Sequence, residues 1–291
     1  MSLKNLRRSA LPALALLLVS ACGQTADQAS EQTADVATPA SSTLAPATSD
    51  TVHDDGHSHV HGASPATAPT SDGFTLTVAS PSIDAPGAHQ LDLTITTDAG
   101  PVTSYDVSHE KQLHMMIVDH SLTKYMHVHP EMSADGTWSV PVDFPTAGFW
   151  RVVVDFQVDG KKVALGTDVV VGQATMTMAN LTAESRTSTA GPYVATISGD
   201  TAHEASRPLK VTITRDGNPV AEIEPYLGAV GHLVGFSAGG LGYVHMHAND
   251  GFVDGTMTFT APALEHGFHK LFLEASIGGE LRQFEFVIEG K

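Results

Sequence analysis

The chain carries a three-histidine pattern twice, and this repetition limits its fold more than any other feature of the sequence. In each copy a second histidine follows the first after 13 residues and a third follows two residues later, and a shift of 118 residues maps one copy onto the other. The six residues are His114, His127, His129, His232, His245 and His247. Imidazole is the commonest side chain that binds transition metals, so two such clusters predict a metal-binding function.

The sequence between the histidines repeats too, which indicates two copies of one folding unit. Residues 91–96 (LDLTIT) match residues 209–214 (LKVTIT), and with one residue inserted Asp155 matches Glu274. The predicted organisation is a signal peptide (1–21), a tether (22–72), a first repeat (73–172), a linker (173–189) and a second repeat (190–290).

Both repeats have the pattern of β-structure. Apolar and polar residues alternate over residues 74–78, 91–96, 150–156 and 209–214, and turn signals rich in Asp and Gly lie between such stretches. The predicted fold class is therefore all-β, with two tandem immunoglobulin-like or cupredoxin-like β-sandwich domains after a lipoprotein signal and a disordered tether. About 100 residues per repeat are enough to bury a core.

The N-terminus has the pattern of an export signal. Lys4, Arg7 and Arg8 precede an apolar stretch, residues 11–19, that is too short to span a bilayer as a mature helix. Small residues then precede Cys22, an arrangement that resembles the lipobox of bacterial lipoproteins. The resemblance implies cleavage before Cys22, lipidation of its thiol, and a lipid-anchored, extracytoplasmic place in the cell envelope, at the outer membrane or periplasm of a host with two membranes.

Composition excludes several classes of function. Cys22 is the only cysteine, which excludes intrachain disulfides, blue-copper centres, iron–sulfur clusters and cysteine-rich zinc sites. Removal of the signal leaves 12 basic against 32 acidic residues, a formal net charge of −20, which argues against nucleic acid as a partner. The tether contains a histidine tract that predicts weak, unselective metal capture. Its histidines are His53, His57, His59 and His61.

Hairpin geometry brings each histidine triad to one face of a sheet. With residues 119–123 as a turn, His127 and His129 share a face and His114 lies opposite one of them. The same construction in the second repeat uses residues 238–240 as the turn. Three imidazoles in each repeat suit one copper or zinc ion per repeat.

The two repeats differ directly after the last histidine of the pattern. Pro130 follows the first triad and should end its strand, whereas Ala248 stands at the matching position of the second repeat. We expect this difference to alter the end of the strand and to leave the ligands alone.

Other side chains are candidates for a fourth ligand or for a partner that orients an imidazole. These are His109, His269, Asp106 and Glu224. Nearby methionines add soft sulfur that favours copper, although core packing is their commoner role. They are Met115, Met116, Met126 and Met246.

The residues around the histidines resemble a known family. Residues 109–114 (HEKQLH) and 125–130 (YMHVHP), with residues 224–232 and 243–247 of the second repeat, are similar to motifs of bacterial exported YtkA-like or heavy-metal-associated proteins. The resemblance covers most of residues 90–290. It implies a sandwich fold and a role in handling copper or other heavy metals.

The sequence thus predicts a lipid-anchored metal-binding protein, with copper favoured and zinc second, for sequestration, resistance or delivery. The expected partners are metal ions, the membrane through the lipid anchor, and a protein that receives the metal. One alternative is a metal-dependent hydrolytic enzyme, in which an open position on a three-histidine metal activates water, although a clear general base is missing. The other is a non-metal adhesion or scaffold module, because fold alone does not fix function.

Overall fold

The computed structural model describes residues 68–202 and 205–291, and every regular element in these ranges is a β-strand. The first repeat contains β1 (Thr70–Ser71), β2 (Phe74–Val78), β3 (Ser82–Ile83), β4 (Gly87–Thr97), β5 (Gly100–Pro101), β6 (Leu113–Asp119), β7 (Tyr125–Val128), β8 (Glu131–Met132), β9 (Thr137–Phe144), β10 (Gly148–Val158) and β11 (Lys161–Val171). The second repeat contains β12 (Thr187–Ala190), β13 (Tyr193–Ser198), β14 (Arg207–Arg215), β15 (Asn218–Pro219), β16 (His232–Ser237), β17 (Tyr243–Val253), β18 (Thr256–Ala261), β19 (Gly267–Ile277) and β20 (Glu280–Gly290). Strand β1 and most of β12 lie just before the predicted starts of the repeats, residues 73 and 190, and pair with strands of those repeats. Within the described ranges, no helix has the length and apolar character needed to cross a membrane. The prediction of an all-β chain with two repeated units is confirmed.

Two sheets pack face to face in the first repeat. One has the strand order β1-β2-β4-β9-β8, with β5 beside β4, and the other has the order β3-β11-β10-β6-β7. Strand β3 runs parallel to β11, whereas β10 is antiparallel to both of its neighbours. Because successive side chains point to opposite faces, every second residue enters the space between the sheets. Trp150, Phe144 and Leu93 are among the buried side chains that fill this core.

A single long strand joins the two halves of the second repeat. Its strand order is β12-β13-β14-β18-β17-β16-β19-β20, with β15 beside β14. The first part of β17 pairs with β16 and its last part with β18, and the register shifts between Ala248 and Phe252. In the first repeat Pro130 separates β7 from β8 at the matching point, because proline has no amide hydrogen for the ladder. The presence of Pro130 in one repeat and Ala248 in the other therefore changes where the strand ends. Both repeats still contain a histidine triad.

The two repeats belong to one compact unit and pack against each other through the sheets that contain β6 and β16. A cluster of buried apolar side chains lies between these sheets. It contains Met116, Val118, Leu122, Tyr125, Val153, Val234, Phe236, Leu241, Tyr243 and Phe272. The cluster is called the inter-repeat core below.

The central strands of these sheets are buried on both faces. Every residue of β16, and all of β6 except Asp119, is buried. The predicted alternation of buried and exposed residues over 150–156 is therefore wrong at Val153 and Asp155. Both side chains point away from the core of the first repeat and are still buried. Apolar residues on both faces are typical of a sheet covered on both sides, and here the second cover is the other repeat.

Gly235 lies in the middle of β16, where two buried side chains approach its backbone. A Cβ atom at this position would stand 2.6 Å from Leu271 Cδ2 and 2.8 Å from Val244 Cγ2. We expect Gly235→Ala to lower the free energy of unfolding by about 1–3 kcal/mol, because the core must shift to accept the methyl group. Urea unfolding followed by circular dichroism measures the change. Gly239→Ala is the control, since nothing lies within 4 Å of its Cβ position, and equal losses in both variants would contradict the packing explanation.

Candidate metal centre

Two β-hairpins bring the histidines of each triad together. In the first repeat Met116 pairs with His127, and continuation of this register by two residues places His114 opposite His129. In the second repeat the first and third histidines of the triad pair directly. Within each triad the candidate ligand atoms all lie within 4.8 Å of one another. The structure thus brings together, three by three, the six histidines that the spacing singles out.

The inner nitrogens of the first triad, and those of two rings in the second, have the spacing of a metal's ligand shell. His114 Nδ1 lies 3.2 Å from the Nε2 atoms of both His127 and His129. In the second triad His232 Nδ1 lies 3.4 Å from His245 Nε2. Metal–nitrogen bonds of about 2.0–2.1 Å at tetrahedral angles separate two ligand nitrogens by about 3.3–3.4 Å. These nitrogens therefore stand close to the positions that a bound ion requires.

Backbone carbonyls face the outer nitrogens of the first histidine in each triad. His114 Nε2 lies 3.1 Å from the Ser108 carbonyl oxygen, and His232 Nε2 lies 2.8 Å from the Tyr226 carbonyl oxygen. A carbonyl oxygen only accepts hydrogen bonds, so each of these outer nitrogens donates its hydrogen. In a neutral ring the inner nitrogen then keeps a lone pair.

A carboxylate faces the outer nitrogen of the second histidine in each triad. His127 Nδ1 lies 2.8 Å from Glu274 Oε2, and His245 Nδ1 lies 3.4 Å from Asp155 Oδ2. Each carboxylate belongs to the other repeat. A carboxylate behind an imidazole is the usual arrangement at metal-ligating histidines, where it fixes the tautomer. In the neutral form of these rings, which is the form that binds a metal, the inner Nε2 atoms therefore also present lone pairs to the centre of each triad.

The two triads lie side by side at the repeat interface. The rings of His114 and His245, one from each repeat, have centroids 5.6 Å apart. The spacing of the histidines does not predict this closeness, because it describes each repeat separately. The sequence does contain one sign of contact between the repeats. Asp155 and Glu274 occupy matching positions, and each interrupts an otherwise apolar stretch, VVVDF and LFLEA.

Burial lowers the pKa of His129 to about 2 and that of His232 to about 3. Loss of hydration is the largest cause for both rings. At His232 the hydrogen bond to the Tyr226 carbonyl opposes it in part, and the neighbouring rings of His127 and His114 lower the pKa of both residues further. Both rings are therefore neutral at pH 7, which is the form that binds a metal.

The structure corrects the roles expected of His109 and His269. The His109 ring does not complete the first triad but stacks on His247 of the second repeat, with centroids 3.5 Å apart and 14° between the ring planes. His269 pairs with Ser237, which lies five residues beyond His232 on β16. At about 3.3–3.4 Å per residue, His269 is about 17 Å along the sheet from the triad, too far to be a ligand.

Asp106 and Glu224 occupy matching positions in the two repeats, and each carboxylate binds a backbone amide in a turn and not an imidazole. Asp106 Oδ2 accepts a hydrogen bond of 2.7 Å from the Gly160 amide, and Glu224 Oε1 accepts one of 3.1 Å from the Gly278 amide. The role expected of these carboxylates beside the imidazoles is filled instead by the carboxylates that face His127 and His245.

The remaining candidates are methionines and tether residues. Met115 and Met246 lie in the cores of their repeats, Met126 packs against the first core, and Met116 lies in the inter-repeat core, so each has a packing role. The other predicted residues lie outside the described ranges, and lipidation and metal capture there stay predictions. They are Cys22, His53, His57, His59 and His61.

Solved structures share only a distant likeness with the chain. The FdeC adhesin of Escherichia coli is 16% identical with a TM-score of 0.25, and the match covers 76% of this chain and 64% of that chain. The InvE adhesin of Yersinia pseudotuberculosis is 14% identical with a TM-score of 0.25, covering 74% and 58%. Salmonella alpha-2-macroglobulin reacted with methylamine is 11% identical with a TM-score of 0.25, covering 80% and 15%. The chain spans less than two thirds of each of these structures, and values this low carry no information about function.

No curated protein matches the chain. A family does match, and it is a different one from the YtkA-like proteins that the motifs resemble. It matches twice, at residues 66–173 and 187–291, once over each sandwich. The chain therefore belongs to the family described as domain of unknown function DUF8832, and contains that domain two times.

Proposed function

We propose that the protein binds two transition-metal ions, one in each histidine triad, and that this role is not catalytic. The observation that supports the proposal most strongly is the orientation of the rings. In two rings of each triad the outer nitrogen faces an oxygen acceptor, so in the neutral rings the inner lone pairs point at one another. Buried lone pairs in such contact are unfavourable without a cation between them, and a bound ion turns the same contacts into metal–nitrogen bonds.

Copper is the ion that we favour, with zinc second. Monovalent copper accepts three imidazoles without a fourth ligand, whereas zinc in structural sites is almost always four-coordinate. One carboxylate stands behind each triad, Glu274 for the first and Asp155 for the second. A monovalent ion with one carboxylate leaves each buried site without net charge. A divalent ion would leave a buried positive charge, which is costly away from water.

The proposed role is sequestration of the metal, resistance to it, or its delivery to a partner protein. We place the protein in the cell envelope, held by lipid at Cys22, because of the export signal and lipobox-like sequence. The histidine tract of the tether would collect ions weakly and pass them to the triads. The formal net charge of −17 over the full sequence also favours the approach of cations.

A non-metal adhesion or scaffold module is the second candidate. Tandem β-sandwiches suit a cell-surface spacer as well as a metal carrier, because a fold does not fix a function. The two functions differ in the need for an ion. An adhesion module would keep its binding to a surface partner in the presence of a strong chelator, and its triads would retain no metal against competition.

We expect the full chain to retain two Cu(I) ions per molecule against a competing chelator that strips the weak tether sites. The double variant His127→Ala/His129→Ala should retain one ion, because it loses two of three ligands at one site. Equilibrium dialysis under anaerobic conditions followed by mass-spectrometric metal analysis gives the count. His89→Ala/His266→Ala is the control and should retain both ions. Loss of both ions in the triad variant would replace two sites with one shared site.

The metal-free protein should lose stability as the pH falls below about 6.5. Below that pH an unfolded histidine takes up a proton, whereas folded His129 and His232, with pKa values of about 2 and about 3, do not. The unfolded state then binds more protons, so each ring lowers the free energy of unfolding by about 1.4 kcal/mol per pH unit between about 6.5 and about 3. Urea unfolding of the metal-free chain at pH 7.5, 6.5 and 5.5 measures the slope.

The control for this slope is the metal-free variant His129→Gln/His232→Gln, in which two of the titrating rings are gone. Its stability should depend less on pH between 6.5 and 5.5 than that of the natural sequence. Identical slopes in the two proteins would show that these rings are not held neutral by burial.

A further inference from the structure

We propose that Glu274 and Asp155 are positioning residues that couple the two metal sites, each repeat completing the site of the other. This inference rests on the proposed metal-binding function and adds a regulatory property to it. Its consequence is that the affinity of each triad depends on a charge in the opposite repeat.

The contacts that cross between the repeats run in both directions. Glu274 of the second repeat faces Nδ1 of His127 in the first, and Asp155 of the first repeat faces Nδ1 of His245 in the second. Both carboxylates are buried, with 6% and 3% of their surface exposed. A buried carboxylate is costly unless it is hydrogen-bonded or paired. The imidazoles of the other repeat therefore stabilise these two carboxylates, and the carboxylates in turn orient the imidazoles.

The two crossing contacts are not equal. The Glu274 contact is 2.8 Å, whereas the Asp155 contact is 3.4 Å and its Oδ2 atom also accepts a hydrogen bond of 3.0 Å from the Tyr243 hydroxyl. The first site should therefore depend on its carboxylate more strongly than the second.

Metal binding strengthens both contacts by the same mechanism. An imidazole that gives its Nε2 lone pair to a cation carries more positive charge on its Nδ1 hydrogen, so it binds the carboxylate behind it more tightly. An ion in one triad thus strengthens a contact that holds the two repeats together, and the other triad depends on the same packing of the repeats. Thermodynamic linkage makes the effect reciprocal, so each ion raises the affinity for the other.

A second group of contacts crosses the interface at the same place. The His109 ring of the first repeat stacks on His247 of the second triad. Residues Glu110 and Gly228, which occupy matching turns of the two repeats, also approach each other: a Cβ on Gly228 would stand 3.9 Å from Glu110 Cγ. The second triad therefore receives both a carboxylate and a covering ring from the first repeat.

The test measures one site at a time in the full chain. The background His245→Ala/His247→Ala removes the second site, so the remaining Cu(I) affinity belongs to the first triad. Glu274→Gln is added to this background, where Glu274 lies in the repeat that no longer holds metal. We expect Cu(I) affinity, measured by competition with a chromophoric chelator, to fall by about 10–100-fold.

The reverse experiment uses the background His127→Ala/His129→Ala with Asp155→Asn, and the fall at the second site should be smaller. Glu224→Gln is the matched control for loss of a carboxylate in the second repeat and should leave Cu(I) affinity unchanged. Glu274→Asp retains the charge on a shorter side chain and should give an intermediate affinity, which also serves if the glutamine variant folds poorly. A direct readout is the ¹⁵N NMR signal of His127 Nδ1–H, which Glu274→Gln should shift in the metal-free protein.

The outcomes separate the two proposals. The coupling would be overturned if both Glu274 variants bound Cu(I) at the first site within twofold of the affinity of the His245→Ala/His247→Ala background. That result would leave the metal-binding function in place. Failure of the unmutated chain to retain Cu(I) would instead overturn the proposed function itself.

Discussion

The packing of one sheet of each repeat against the other is the interaction on which the rest of the structure depends. It buries the second face of β6 and β16, and it places apolar side chains such as Val153 and Phe272 in a core that neither repeat has by itself. The histidine triads lie on the same faces, further along the same strands. Because the interface removes water from them, their nitrogens need partners within the protein, and those partners come from nearby turns and from the opposite repeat.

The duplication preserves the surroundings of the histidines as well as their spacing. Ser108 and Tyr226, whose carbonyls face the first histidine of each triad, lie six residues before it in both repeats. Each begins a turn with the same backbone pairing, and the next residues, His109 and Leu227, have φ values of 49° and 50°. A backbone conformation that non-glycine residues rarely adopt is thus retained twice beside the rings. These matching turns explain why a backbone carbonyl faces the same ring nitrogen, Nε2, in both triads.

Much of the fold and the members of each triad could be predicted from the sequence, because both follow from periodicity within a strand. Alternation of side chains places His127 and His129 on one face, and the turn length places His114 opposite. Periodicity does not say what covers that face. In β6 the run from Met115 to Val118 is apolar on both sides, and only a docked partner sheet explains such a pattern. The sequence alone therefore yields two separate sites, whereas the folded chain has them side by side.

The carboxylates show the same limit. Asp106 and Glu224 match between the repeats as well as Asp155 and Glu274 do, and both pairs are acidic. Spacing cannot separate a carboxylate that holds a turn amide from one that holds an imidazole of another repeat. The difference lies in the surrounding residues: the second pair lies within apolar strands, where an unpaired charge would be costly.

Anomalous diffraction at the copper edge, from crystals of the full chain loaded with Cu(I), tests the central claim most directly. Two sites of binding, one in each triad, predict two anomalous peaks per chain, each about 2.0–2.1 Å from the inner nitrogens of its three histidines. A single peak shared between the triads, or peaks at methionine sulfur with the histidine rings empty, would contradict it.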